Sequence, residues 1–340
     1  MKNVLSFGEL LLRICPDTGG EWLQNNTLPF YVGGAEANVA TALATWGIPS
    51  AYFTALPENL MSRQVAGYLT QRKIDVSRVL YQGQRLGLYF LPQGKDVKNA
   101  GVIYDRDSSS FSELQPGSID WAPVLEDVSW LHFSAISPAL NSRAAIICEE
   151  VLKAAAARNI TISLDLNYRP KLWQYGVTPV AVMPGLAEYC DVIMGNLWAA
   201  EKMLGVPVDA SISTDSTKED YLQHAERTSE QIKAKFPKVR LVANTFRFDK
   251  GVSGIQYYTT LWSDKKLYHS TEYAADKIVD KVGSGDCFMA GLIYGMYKNL
   301  PLQQTLEFAT AAAFSKLFIT SDATDQQVAD VEKFMQSYER

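Results

Sequence analysis

The sequence predicts an α/β fold in which helices cover a mostly parallel sheet, and three observations lead to that prediction. Short runs rich in β-branched and aromatic residues alternate with longer helical patterns along most of the chain, which is typical of parallel sheets. The chain has 340 residues, of which 47% are hydrophobic, so it can build a continuous core. No internal repeat or low-complexity linker divides it.

The predicted strands and helices alternate from the N-terminus onward. Strand-like runs occupy residues 4–14, 51–56, 130–135, 160–167, 191–196 and 240–246. Helical patterns occupy residues 142–158 and 218–236. The C-terminal third is helical, and we predict helices over residues 285–298, 302–318 and 324–338. A capping box from Thr324 to Gln327 is predicted to begin the last of these helices.

One region departs from this alternation. Residues 86–109 contain two strand-like runs joined by a polar connection without a helix, which predicts an antiparallel hairpin inserted in the α/β frame. An early segment can join this hairpin to form a small lid. We therefore predict one domain over residues 1–340 with inserted β-lid segments at residues 15–33 and 84–112.

Composition and charge exclude several classes of protein. The net charge of -5 and the absence of a run of Lys and Arg argue against a nucleic-acid binder. The four cysteines and three histidines show no zinc-ligand spacing, and we expect reduced thiols and a cytoplasmic location. Glu9 and Arg13 interrupt the N-terminal apolar run, so it predicts a first strand and not a signal peptide, and no run is long enough to span a membrane.

The run DKVGSGDCF predicts an anion site. Gly283, Ser284 and Gly285 would point successive backbone N–H groups into one space, at the N-terminus of a helix that begins near Asp286. The run matches neither a Walker A loop nor a Rossmann fingerprint. An acid beside a phosphate site suits a base that accepts the proton of an attacking alcohol, so Asp286 is a candidate base for phosphoryl transfer. The same acid also fits a helix N-cap.

A second glycine cluster lies near the N-terminus, in VGGAEANVATALATWG. Gly33 and Gly34 lead into a predicted helix that carries Asn38 in its first turn. Glycines let a ligand approach the backbone closely, and the Asn38 amide can donate and accept hydrogen bonds with sugar hydroxyls. Tight helix packing through small residues is the alternative interpretation of the same run.

The two glycine clusters together resemble the two signatures of the ribokinase-like (PfkB) family of ATP-dependent carbohydrate kinases, in order, separation and helix context. The runs FGELLLR, YVGGAEANVA, RLGLYFLP, VIYDRDSS and DLNYRPKLW are similar to stretches of its bacterial 2-keto-3-deoxygluconate kinase branch. The resemblance covers about residue 4 to about residue 320. It implies a ribokinase-like three-layer fold with a central sheet of about nine strands and a β-lid. It also implies ATP and Mg²⁺ as co-substrates.

Several polar residues suit a sugar-acid site. Tyr104 and Arg106 are two residues apart and would share one face of a strand, which Tyr89 can join from the partner strand. A guanidinium can bind a carboxylate through two parallel hydrogen bonds. Arg169 follows a strand-like run, at the strand end where ligands of open α/β sheets bind. The arginines can instead be solvated or pair with neighbouring acids, Asp105 and Asp165.

The resemblance carries functional roles over to matching positions. It implies Gly34, Tyr89, Tyr104, Arg106 and Arg169 as sugar-acid contacts, beside Asn38, and Asp286 as the base. It implies Asn196, Thr245, Arg247, Lys281, Gly283 and Gly285 as the nucleotide side. Metal ligands are left open, because Leu197 to Ala200 stand where many relatives have acids after the asparagine.

These residues predict an ATP-dependent sugar-acid kinase, and the resemblance implies phosphorylation of 2-keto-3-deoxygluconate at its terminal hydroxyl. A fructokinase or another ketose kinase of the same family is one alternative. A catalytically silent sugar-acid sensor is another, although the intact run from Gly283 to Asp286 argues against it. An inserted hairpin has too little core to be stable alone, so we expect a homodimer through the lid, as the resemblance implies, or a higher homo-oligomer.

Overall fold

A computed structural model of the chain describes residues 2–16, 26–92, 101–210, 212–213, 216–251 and 254–338. The strands are β1 (Asn3–Phe7), β2 (Leu11–Ile14), β3 (Phe30–Gly33), β4 (Ser50–Phe53), β5 (Ala55–Leu56), β6 (Ile74–Asp75), β7 (Leu80–Tyr81), β8 (Gly87–Phe90), β9 (Ile103–Asp105), β10 (Val128–Ser134), β11 (Thr161–Asp165), β12 (Val192–Gly195), β13 (Leu241–Lys250), β14 (Gly254–Ser263), β15 (Lys266–His269) and β16 (Tyr273–Ala275). The helices are α1 (Ala35–Thr45), α2 (Leu60–Gln71), α3 (Trp121–Val124), α4 (Ser142–Ala156), α5 (Pro179–Ala187), α6 (Leu197–Ala199), α7 (Lys218–Lys235), α8 (Ser284–Tyr297), α9 (Leu302–Lys316) and α10 (Val328–Tyr338). A π-helical turn, Ala200–Leu204, continues α6.

The central sheet has ten strands and is mostly parallel, as the sequence predicts. Its order is β15-β14-β13-β12-β11-β10-β1-β4-β6, and β16 pairs with β14. The six pairings from β13 to β6 are parallel, and β14 pairs antiparallel with each of its neighbours. One apolar cluster joins the sheet to α4 and α5, and a second joins it to α1, α8 and α9. Helices therefore cover both faces, which explains why the central strands β1, β10, β11 and β12 are almost entirely buried.

The predicted helices between the strands are confirmed, and local capping explains where two of them begin. Asn141 caps α4 by accepting a hydrogen bond from the Ala144 amide at 2.9 Å. Thr217 and Asp220 form a capping box at the start of α7. Such caps satisfy amides that have no partner within the helix.

The small sheet has the order β3-β2-β8-β9 and lies apart from the central sheet. The antiparallel pairing of β8 with β9 confirms the predicted hairpin. The prediction of one strand over residues 4–14 is wrong, because the chain leaves the central sheet after Phe7 and enters the small sheet at Leu11. Glu9, at this break, is buried and pairs with Arg106, which anchors the crossing between the two sheets. A strand of the small sheet thus begins before the predicted segment 15–33.

Parts of both predicted lid segments, residues 17–25 and 93–100, lie outside the described residues. Among the residues that the structure does describe, no helix is long and apolar enough to cross a membrane.

The predicted C-terminal helices are confirmed, but the capping box over residues 324–327 is wrong. The Thr324 hydroxyl accepts a hydrogen bond from the Gln326 amide at 3.2 Å, which forms a local turn, and α10 begins only at Val328. The Trp46 indole donates to the Gln326 carbonyl at 3.0 Å. This tertiary contact holds the segment in a turn and delays the start of the helix.

The helices α8 and α9 pack unusually closely because glycines line their contact. A Cβ atom added at Gly291 would lie 2.4 Å from the Ala309 Cα atom, and one added at Gly295 would lie 2.4 Å from the Thr305 hydroxyl. We call Gly283 to Gly285 the glycine corner. Because α8 begins at this corner, the contact between α8 and α9 also fixes the position of the corner.

Replacing Gly291 with alanine should lower the free energy of unfolding by about 1–3 kcal/mol, because the new methyl group overpacks the contact with α9. Gly67, inside α2, is the matched control, since nothing lies within 4 Å of a Cβ atom added there. Alanine at that position should raise the free energy of unfolding by about 0.4–1 kcal/mol. Urea unfolding followed by circular dichroism measures both shifts, and equal shifts would contradict the close packing.

Candidate active site

A cavity of about 660 Å³ lies between the central sheet and the small sheet. Its wall contains the carboxyl ends of β11 and β12, one face of β13, tyrosines of the small sheet and the N-termini of α1 and α8. Ligands of open α/β sheets bind at this edge. The structure brings all the predicted site residues together in this wall: Gly34, Asn38, Tyr89, Tyr104, Arg106, Arg169, Asn196, Thr245, Arg247, Lys281, Gly283, Ser284, Gly285 and Asp286.

The glycine corner at the start of α8 has a backbone that only glycine tolerates. Gly283 is the N-cap, with φ 78° and ψ -5°, in the left-handed region. A Cβ atom there would lie 1.7 Å from the Asp322 carbonyl oxygen. Gly34, the N-cap of α1, is similarly confined, with φ 132° and an added Cβ atom 2.6 Å from the Glu9 carbonyl oxygen. Two helix N-termini with unpaired amides therefore border the cavity.

Within the corner, Ser284 and Gly285 contribute through the backbone. The Ser284 hydroxyl donates to the Ala313 carbonyl of α9 at 2.9 Å, so its side chain is committed to helix packing. A Cβ atom at Gly285 would meet only the Met194 methyl carbon, at 3.8 Å. The space before Gly285 is thus open, and a ligand can approach the first-turn amides of α8, where the helix dipole favours an anion.

Asp286 lies beside the corner and bonds to Asn38. The Asn38 amide nitrogen donates to the Asp286 Oδ2 atom at 2.7 Å. Burial raises the pKa of Asp286 to about 7, and nearby Asp165 adds to the rise, while the hydrogen bond from Asn38 and the charge of Arg169 oppose it. A carboxylate with this pKa can accept a proton near neutral pH. The amide nitrogen predicted for sugar hydroxyls is committed here to the candidate base.

The tyrosines of the small sheet face the cavity from paired positions. Tyr89 and Tyr104 are direct partners in the β8 and β9 register, with ring centroids 6.4 Å apart. The Tyr89 hydroxyl donates to the Asp322 Oδ2 atom at 2.8 Å. Burial raises the pKa of Tyr104, which Arg169 opposes by charge and hydrogen bonding. Both tyrosines are therefore neutral hydrogen-bonding groups.

The two predicted arginines differ in their partners. Arg106 lies one residue past the end of β9 and pairs with Glu9 at 2.5 Å. The expected pairing of Arg106 with Asp105 does not form, because Asp105 pairs with Arg85 at 2.6 Å. Arg169 donates to the Tyr168 carbonyl at 3.1 Å, and no carboxylate of the described ranges forms an ion pair with it.

On the opposite side of the cavity, one face of β13 presents alternate residues. Thr245, Arg247 and Asp249 are each two residues apart and all line the cavity. Lys281 approaches this face and pairs with Asp249 at 2.7 Å. This wall holds cationic groups near the corner, as a site for nucleotide phosphates requires.

The segment after β12 supplies no carboxylate to the cavity. Asn196 caps α6 by accepting from the Ala199 amide at 2.8 Å, and Trp198 and Ala199 line the wall. Glu201 pairs with Lys202 at 3.2 Å and is not part of the lining. No group of three or more His, Cys, Asp and Glu side chains suited to a metal ion exists in the described part of the chain.

A buried ionic cluster supports the corner from behind, and the sequence analysis missed it. Arg13 of β2 donates to Asp280 at 2.9 Å and to Asp322 at 2.8 Å, and all three side chains are fully buried. The carboxylates of Asp322 and Asp280 raise the pKa of Arg13 although burial alone would lower it. The available signal was an arginine in the otherwise apolar run FGELLLR.

Two further acids in the cavity wall were also missed. Glu36, in the first turn of α1, accepts hydrogen bonds from the Ser134 amide at 2.9 Å and the Ser134 hydroxyl at 2.6 Å. Burial raises its pKa to about 7, against those hydrogen bonds. Glu9 is the other acid, paired with Arg106 as described. Glu9 lies within the apolar run FGELLLR, which was the available signal, whereas nothing in the sequence around Glu36 indicates that it is buried.

Comparison with known proteins identifies the family. The sequence model of the pfkB family of carbohydrate kinases matches residues 1–324. The chain belongs to this family. The predicted family and its α/β fold, with a mostly parallel sheet and a small separate sheet, are thereby confirmed.

Individual relatives of this pfkB-family kinase cover nearly the whole chain. The crystal structure of 2-dehydro-3-deoxygluconokinase from Thermotoga maritima is 32% identical, with a TM-score of 0.89, over 99% of this chain and 100% of that one. A PfkB family carbohydrate kinase from Listeria grayi is 30% identical, with a TM-score of 0.85, over 98% and 100%. The 2-dehydro-3-deoxygalactonokinase of Haloferax volcanii is 25% identical, over 98% of this chain and 96% of that protein.

If Asp286 is the base, kcat/KM for the sugar should rise with pH through about 7, because only the ionised form accepts a proton. Asn38→Ala removes a hydrogen bond that stabilises the ionised form, so the rising limb should move to higher pH. Asn141→Ala, which removes a helix cap outside the cavity, is the control and should leave the midpoint unchanged. Initial rates between pH 5 and 9 give the profiles. If the midpoint of the rising limb is the same in Asn38→Ala as in wild type, the titrating group is not Asp286.

Proposed function

We propose that this pfkB-family kinase transfers the γ-phosphoryl group of ATP to the terminal hydroxyl of 2-keto-3-deoxygluconate. The observation that carries the proposal is Arg169, a cationic side chain in the cavity wall that forms no ion pair with a carboxylate of the described residues and donates to the Tyr168 carbonyl. It lies beside Tyr104 and within reach of the charge of Asp286. A sugar acid brings the carboxylate that such a group binds. The names of the Thermotoga and Haloferax relatives agree with this substrate class.

The two ends of the cavity suit the two substrates. The small-sheet side, with Tyr89, Tyr104 and Gly34, would bind the sugar acid. The β13 side, with Arg247 and Lys281, would bind the nucleotide phosphates, helped by Thr245 and Asn196. ATP fits this donor set, because unpaired helix amides and cationic side chains are the usual partners of phosphate.

In the proposed reaction, Asp286 holds the terminal hydroxyl and accepts its proton. The sugar oxygen forms a bond to the γ-phosphorus, and the bond from that phosphorus to the bridging oxygen of ADP breaks. The amides of Ser284, Gly285 and Asp286 stabilise the charge on the transferred group, and losing one such donor typically costs about 10²–10³ in rate. Mg²⁺ bound to ATP would neutralise phosphate charge. The described residues hold no group of three or more His, Cys, Asp and Glu side chains suited to a metal ion.

Two other functions use the same cavity. A ketose kinase would keep the corner and the base but would bring no anion to Arg169. A sugar-acid sensor would bind the sugar without transferring phosphate. The fructokinase of Xylella fastidiosa supports only the shared fold, at 16% identity. The corner and the adjacent buried acid favour catalysis over sensing, and the cationic wall favours the acid over the ketose.

Assayed side by side with ATP, 2-keto-3-deoxygluconate should give a kcat/KM at least about 10²-fold above that of fructose, because a guanidinium without its anion disfavours the neutral sugar. Asp286→Asn should lose most turnover yet still bind both substrates in calorimetry, because the amide keeps the shape and removes the proton acceptor. Equal efficiency on fructose would favour the ketose kinase. Binding without any wild-type turnover would favour the sensor.

We also propose that the small sheet serves as a lid and joins two subunits through its outer face. Phe30, Ile14, Phe90 and Ile103 occupy paired positions across its four strands and form one apolar row. Phe30 is 54% exposed and Ile103 is 50% exposed. A second copy of the same row is its best partner, because two such rows bury each other's apolar surface. All four cysteines are free and buried, which suits a reducing cytoplasm.

Light scattering at micromolar concentration should give at least the mass of two chains. The double variant Phe30→Asp/Ile103→Asp should give the mass of one chain, because charges on the row oppose its burial. Leu60→Asp, at a 73% exposed position of α2, is the control and should leave the mass unchanged. A fully active wild-type monomer would refute the interface.

A further inference from the structure

The ion pair between Glu9 and Arg106 has an unusual geometry. Both the Nε and Nη2 atoms of Arg106 contact a single carboxylate oxygen, Oε2 of Glu9, at 2.5 Å. Glu9 is 2% exposed and Arg106 is 7% exposed, so the pair is almost completely removed from solvent. The other carboxylate oxygen, Oε1, is buried and has no hydrogen-bond partner among the described residues. Both residues line the cavity.

We propose that Glu9 is a positioning residue that fixes Arg106 and cancels its charge, so that of the two arginines Arg169 is the one that binds the substrate carboxylate. This inference rests on the proposed function, because it divides the recognition of the sugar acid between the two arginines. It narrows the expectation from sequence, in which either arginine could hold the carboxylate.

The Glu9 side chain packs against a glycine of the small sheet. Glu9 follows β1 at the crossing between the two sheets, with Gly8 before it. A Cβ atom added at Gly87 of β8 would lie 2.3 Å from the Glu9 Oε1 atom, so the small sheet needs a glycine there to accept the side chain. Glu9 therefore packs in the wall against the backbone of β8, where it pairs with Arg106.

The charges around Arg106 argue against a role for its guanidinium in binding the substrate carboxylate. A second carboxylate on the same guanidinium would lie close to Glu9, and like charges in a buried site repel strongly. Arg106 retains the Nη1 group, which can donate to a hydroxyl or keto oxygen without a change of net charge. Removing Glu9 would instead leave a buried, unpaired guanidinium, which is costly and more attractive to an anion.

Arg169 stands in the opposite situation. Asp165 raises the pKa of the neighbouring base Asp286 and Arg169 lowers it, so acids and a cation meet in this part of the wall. Glu36 adds another buried carboxyl group. A substrate anion binds most readily where a cation is not already held in an ion pair. Among the described lining residues, Arg169 and Lys171 form no ion pair, and Arg169 is the one that bonds to Tyr104 and acts on Asp286.

The test compares 2-keto-3-deoxygluconate with its neutral carboxamide, which keeps the shape and lacks the charge. The readout is the ratio of the kcat/KM values for acid and amide in the full-length enzyme. Arg169→Met should lower this ratio by about 10²-fold. Arg106→Met should lower both kcat/KM values and lower their ratio by about tenfold, less than Arg169→Met does, because the Glu9 carboxylate left without its partner repels the acid.

Glu9→Gln is the decisive variant. It should raise the ratio of acid to amide by about tenfold, because Arg106 then carries an uncompensated charge, while kcat falls because Arg106 is no longer held in place. Glu9→Asp keeps the charge and should keep the wild-type ratio, although the shorter side chain lowers kcat for both substrates. A merely structural role for Glu9 would leave the ratio unchanged in every Glu9 variant.

A double variant protects the test against misfolding. Glu9→Gln/Arg106→Met removes both charges and leaves no unpaired ion, and its ratio of acid to amide should match that of wild type. Thermal unfolding checks that each variant is folded. An unchanged ratio in Glu9→Gln, or an equal loss in Arg106→Met and Arg169→Met, would overturn the inference alone. A wild-type enzyme indifferent to the carboxylate would overturn the proposed function together with it.

Discussion

The position of the glycine corner depends on the buried pairing of Arg13 with Asp280 and Asp322. Burying these charges is expensive, and removing one partner would leave an uncompensated ion in the core. The pairing joins a strand of the small sheet to the segment before α8 and to the loop after α9. Because the Asp322 carbonyl packs against Gly283, the ionic cluster determines where the first amides of α8 point. The geometry of the proposed phosphate site thus depends on charges that lie outside the cavity lining.

Much of the fold and of the cavity wall could be predicted from sequence, because the signals are local. Alternating strands and helices follow from short-range patterns, and the left-handed corner at Gly283 requires a glycine that the sequence displays. The partners of Arg13 and Glu9 could not be predicted, because they lie far away along the chain. The misplaced start of α10 has the same cause, since a contact from Trp46 overrides a good local capping pattern.

The site uses burial in two opposite ways. At Asp286, burial with incomplete compensation raises the pKa toward neutrality and makes a carboxylate basic enough to accept a proton. At Glu9 and Arg106, two opposite charges are buried together. The pair therefore has no net charge, but its guanidinium can still donate directed hydrogen bonds. In the proposed function, proton transfer, hydrogen bonding and charge recognition are therefore assigned to different side chains of the wall.

The separation of Arg13 and Asp322 along the chain also bears on how the protein is made. These partners are 309 residues apart. At a synthesis rate of about 5–20 residues per second, Arg13 waits about 15 to 60 s on the ribosome before Asp322 exists. Throughout that time the small sheet lacks its internal counter-ions and the corner lacks its support. The support of the corner is therefore completed only after the last part of the chain has been made.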